Sequence, residues 1–104
     1  MSIVYIVQDS PGKNFLPAKK FGTLRVLLTP HEACGSIYSV ISVLNKKLCN
    51  VTKDDYLLLV GDPVLIGLVS AIALDVTDGY ISFLRWNRSM YEYKPEHVEE
   101  LWTR

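Results

Sequence analysis

Two short segments hold the side chains and the backbone freedom needed to bind a small anion. The first is Asp9-Ser10-Pro11-Gly12-Lys13-Asn14, directly after an apolar run. Gly12 lets backbone approach a ligand, Lys13 supplies a positive charge, and Ser10 and Asn14 offer hydrogen bonds. The second is Gly61-Asp62-Pro63, which opens a helical stretch whose first N–H groups and dipole favour negative charge. If the two turns meet, a phosphate or a carboxylate is the natural ligand, and a nucleotide or another small phosphorylated molecule is one class it implies. The same residues also read as ordinary turn and helix-start chemistry. Asp62 would oppose an anion at its own helix unless it held a metal or a ribose hydroxyl.

Other chemistries find less support. Pro11-Gly12-Lys13-Asn14 lacks the upstream glycine and the following Ser or Thr of a P-loop. His31 and Cys34 are spaced like two metal ligands, but a structural zinc site needs four and no Cys-x-x-Cys supplies the rest. Cys34 near His31 and Glu32 has the ingredients of an activated thiol, with no assured helical turn to align them. No catalytic constellation emerges, so we assign no catalytic residue, no metal and no cofactor, and expect a non-enzymatic protein. Arg85, Trp86 and Arg88, with Tyr91, Tyr93 and Lys94, mix aromatic and basic groups in the manner of a clamp for single-stranded nucleic acid. Cross-strand aromatic pairing accounts for the same residues without a ligand.

The charge balance weighs against that last reading. Eleven Lys and Arg offset eleven Asp and Glu, so the formal net charge is +0 and gives no general attraction to nucleic acid or anionic membrane. Residues 1–52 carry six basic and two acidic groups, and residues 53–104 carry five and nine, which puts the basic excess away from the hairpin in sequence. At 104 residues the chain suits one domain, residues 1–104. No basic residue precedes the first apolar run and no small-residue cleavage site follows it, so we expect no secretory leader and a cytoplasmic location. Cys34 and Cys49 are too few for a disulfide framework and are expected as buried thiols. The greasy stretch from Tyr56 to Leu74 is broken by Gly61-Asp62-Pro63, so we expect two buried elements and no membrane span.

The elements that must position these residues follow from periodicity. Ile3 to Val7 reads as a strand covered on both faces. Phe15 to Phe21 suggests a helical turn or two, stopped by Gly22. Thr23 to Thr29 is a second strand. Ser36 caps a helix from Ile37 to Leu48 whose stripe is Ile37, Val40, Ile41, Leu44 and Leu48. Tyr56 to Val60 is a central strand, and Pro63 to about Asp75 is a helix apolar nearly all round, with Gly67, Ser70 and Ala71 as a small-residue face. Tyr80 to Trp86 and Tyr91 to Tyr93 form a hairpin ended by Pro95, and Glu96 to Trp102 suggests a short helix. The order implies an α/β fold: a small three-layer, mostly parallel, doubly wound sheet of order 2-1-3-4-5 with a C-terminal antiparallel hairpin. The alternative is an α+β layer with both main helices on one face. The short link between the first two strands leaves open an antiparallel pairing there. In the doubly wound order the two candidate turns meet where the winding reverses.

Val4 to Gly22, Asp55 to Pro63 and Phe83 to Arg88, taken together, resemble a family of small uncharacterised proteins encoded by tailed phages of marine bacteria, in the manner of cyanophages. The resemblance implies a phage accessory protein in the host cytoplasm and assigns no residue a role. The combined expectation is an interaction protein that self-associates or docks on a host or phage protein.

Overall fold

The computed structural model describes residues 2–99 and 101. Its strands are β1 (Ile3–Gln8), β2 (Thr23–Leu28), β3 (Tyr56–Leu58), β4 (Ile81–Asn87) and β5 (Glu92–Val98). They form one sheet of order β2-β1-β3-β4-β5. β1 pairs in parallel with both β2 and β3, β3 pairs in parallel with β4, and β4 and β5 are antiparallel. The doubly wound order is therefore the one the sequence implies, and the antiparallel β1–β2 hairpin is excluded.

β1 lacks alternation because both of its faces are covered. Tyr5 and Val7 face a core with α2 (Ile37–Lys47) and α3 (Pro63–Thr77), through Val40, Leu44, Leu48, Leu65, Val69 and Ala73. Val4 and Ile6 face a second core with Leu58, Leu84, Tyr93 and Ala18, flanked by Phe15 and Phe21. Both long helices thus lie on one face. The second face is covered by a single 3-10 segment, Leu16–Phe21, which is the whole β1–β2 crossover apart from its turns. A layer this thin cannot span the sheet, and grooves remain beside it.

Several local expectations need correction. A one-turn helix, α1 (Pro30–Ala33), follows β2. Thr29 Oγ1 accepts the Glu32 N–H at 3.2 Å and Glu32 Oε1 accepts the Thr29 N–H at 3.0 Å, a reciprocal cap. Ile37, in the first turn of α2, is 42% exposed, so the buried stripe starts at Val40. β3 stops at Leu58, and Leu59 is partly exposed. Cys34 and Cys49 are exposed, because each sits just beyond a helix end where no second layer covers it. Pro95 does not end β5. The strand lies at the sheet edge, where a missing N–H forfeits no ladder bond, and it runs on to Val98. Glu96 to Val98 are therefore strand and not helix, and Glu100 and Trp102 lie outside the described residues.

Candidate functional site

The two turns named from the sequence are drawn together by a residue that the sequence reading passed over. Gln8, the last of β1, accepts the Asp62 N–H through Oε1 at 3.0 Å. Its side chain fills the crevice between β1 and β3, and Gly61, at φ +119°, leaves it room. The Asp62 carboxylate accepts the Val64 N–H at 2.8 Å and so caps α3. Gly61 and Asp62 are thus engaged in starting the helix, with a negative charge at its end.

The first turn is equally well tied. The Asp9 N–H donates to the Leu28 carbonyl at 3.3 Å, and the Lys13 N–H donates to the Ser10 carbonyl at 3.1 Å. The second bond closes a turn with Gly12 at φ +86°. Asn14 Oδ1 accepts the Leu16 N–H at 3.0 Å and starts the 3-10 segment. Among the described residues no side-chain hydrogen bond or ion pair engages Asp9, Ser10 or Lys13, and of these Lys13 is carried beside the end of β3.

There Lys13 and Asn14 meet the hairpin. A groove of about 390 Å³ lies on the second face of the sheet, at the C-terminal ends of β3 and β4. Lys13, Asn14 and Pro17 form one side, Leu58, Leu59, Val60 and Leu84 the base, and Trp86 and Tyr93 the other side. Trp86 and Tyr93 are cross-strand partners, with ring centroids 4.9 Å apart at 65°. Tyr93 is buried, which pushes its phenol above the usual tyrosine value and keeps it neutral. Trp86 stays 41% exposed. The structure does not hold the three hairpin residues on one surface. Strand alternation turns Arg85 away from Trp86, to the helical face, and Arg88 sits exposed in the hairpin tip.

The sequence reading also missed a pocket at the opposite end of the same face, of about 670 Å³. Ser82 Oγ and His97 Nδ1 lie 2.8 Å apart there. The His97 ring is tilted against Tyr56 at 5.9 Å, and Tyr56 meets Phe21 at 5.6 Å. Hairpin register was the available signal. Asn87 opposite Glu92 fixes Ser82 opposite His97. Among the described residues no cluster of three or more His, Cys, Asp or Glu could hold a metal ion, and no helix is long and apolar enough to cross a membrane.

The family model described as Phage Pam3 gp32-like protein matches residues 2–100. No curated protein and no solved structure matches the chain.

Proposed function

Because the chain belongs to the Phage Pam3 gp32-like protein family, we propose that it serves the phage as a binding protein with no chemistry of its own, acting in the host cytoplasm. One observation supports this reading above the others. An apolar trough, with a single lysine and a half-exposed indole at its rim, opens at the C-terminal ends of β3 and β4, one strand over from the β1–β3 crevice where the winding reverses. Its volume, about 390 Å³, is that of a ligand groove. The partner it suits presents an apolar or aromatic group beside a negative charge. That description covers a segment of a phage or host protein, and equally a small phosphorylated ligand held by Gly12, Lys13 and Asn14. Anilinonaphthalene sulfonate has both features and serves as the probe. We expect it to shift the amide resonances of Lys13, Asn14, Leu58 to Val60 and Trp86. Shifts scattered over the whole chain, or none at millimolar probe, would refute a groove at this place.

Self-association is a second reading, favoured by the outer strip of α3. Val64 is 61% exposed, and Gly67 and Ala71 lie in the open on the same helix, with Tyr38 exposed at the start of α2. A Cβ built on Gly67 meets nothing within 4 Å, so the folded protomer accepts a side chain there. Sedimentation at high micromolar concentration should show a dimer for the parent protein and a monomer for Gly67→Arg. A parent protein that stays monomeric removes this reading and leaves the groove untouched.

A further inference from the structure

We infer that the groove binds single-stranded nucleic acid, with a base against Trp86 and backbone phosphates along the basic segment that crosses the hairpin. This rests on the groove being the binding site, and it names the partner.

The first support is charge placement. From Ser10 to His31 the chain carries Lys13, Lys19, Lys20 and Arg25 and no Asp or Glu. The fold lays the part of this stretch that holds Lys13, Lys19 and Lys20 beside the aromatic hairpin from the other half of the sequence, while Arg25, on the far edge strand, turns to Tyr5 on the helical face. Lys13 lines the groove with Trp86, and Lys20 Nζ comes within 3.8 Å of Glu92 on β5. Both partners of that pair are about half exposed, so little of the lysine charge is tied up. The zero net charge conceals this local excess. A second depression, of about 560 Å³, lies on the other side of the 3-10 segment and sets Lys19 and Lys20 beside Phe21. Two neighbouring hollows therefore each join a ring to a cation.

The second support is aromatic display. Tyr93 holds the Trp86 ring edge-on while 41% of the residue faces solvent. At the hairpin tip Tyr91 has φ +50° and is 80% exposed. A bulky residue in the left-handed region is unfavourable, and here it holds a phenol ring in water. Rings with one free face, interleaved with lysines, are the elements of sequence-tolerant stacking. The aliphatic base of the groove offers no hydrogen-bond pattern with which to read base edges. Paired bases are sealed in a duplex, so only an unpaired strand can place a ring in the groove. An acidic peptide would satisfy the lysines but would leave the exposed rings without stacking partners.

The test is fluorescence anisotropy of a labelled dT12 with the full chain at 50 and 200 mM NaCl. Three phosphate contacts on a single strand predict a slope near −2 in log affinity against log salt, or a loss of roughly 15-fold over that range. Trp86→Ala should weaken binding about 10-fold or more, and Lys13→Ala, fully at the surface, about 3-fold with a shallower salt slope. A duplex of the same length should bind more weakly than dT12. The inference is overturned by no binding at 50 mM salt, by equal binding of the duplex, or by affinities that neither variant changes. If dT12 fails while anilinonaphthalene sulfonate still shifts the groove amides, nucleic acid is the wrong partner and the groove stands. If both fail, the groove reading falls as well.

Discussion

Asp55→Ala should lower the stability of the fold by about 3 kcal/mol, because it removes the buried carboxylate that accepts three part-buried hydrogen bonds at the junction of β1 and β3. Asp55 is only 6% exposed. Its carboxylate accepts the Ile3 N–H at 2.8 Å, the Thr52 N–H at 2.9 Å and the Thr52 hydroxyl at 3.3 Å. The first bond crosses 52 residues and ties the start of β1 to the turn before β3. Each bond to a charged acceptor contributes about 1.5–3 kcal/mol, and the three share one carboxylate, so they do not add in full. Removing the side chain also leaves the Ile3 N–H without its partner. Urea unfolding should therefore show a midpoint lower by about 1.5–3 M, given a slope of about 1–2 kcal/mol/M for a chain this size. Asp55→Asn keeps one carbonyl acceptor and should lose less. A shift below about 0.5 M for the alanine variant would mean that water replaces the carboxylate at no cost.

That junction also shows what the sequence could and could not disclose. The continuous apolar runs at Ile3 to Val7 and Tyr56 to Val60 announced doubly covered neighbouring strands, because such runs have no wet face to alternate with. Asp62-Pro63 announced a helix start by local chemistry alone, and Asp62 does cap α3. Asp55 gave no sign of its role in the sequence, since that role needs the distant Ile3 N–H. Gln8 was invisible as a spacer for the same reason. Pro95 misled because its effect depends on whether a strand follows on the N–H side, which is a property of the sheet and not of the residue. The groove was half legible. Lys13 and Trp86 were each singled out, but assigned to different ligands, because only the thin 3-10 crossover brings the loop and the hairpin together. A full crossover helix in that place would have buried the same surface.

Gly61→Ala tests the switch point itself and should cost about 3 kcal/mol. Two effects combine. At φ +119° the backbone lies where side-chain-bearing residues are strained, by about 1–3 kcal/mol. A Cβ there would also collide with Gln8 Oε1 and approach Gln8 Cβ to 2.8 Å and Cδ to 3.0 Å. Overfilling a packed site costs a further ~1–3 kcal/mol, less whatever the flexible amide end can yield. Gln8→Ala separates the two. It removes the amide end, Oε1 and Cδ, but keeps the Cβ contact and leaves φ unchanged, and it takes the acceptor from the Asp62 N–H, so alone it should destabilise by about 1 kcal/mol. In the double variant the part of the steric penalty owed to the Gln8 amide disappears while the Cβ contact remains, and the costs should fall short of additivity by about 1 kcal/mol. Full additivity in a denaturant-based cycle would place the penalty in the backbone and the retained Cβ contact, with none in the Gln8 amide. The Gln8 amide would then be a bystander to the packing at Gly61, its role confined to accepting the Asp62 N–H.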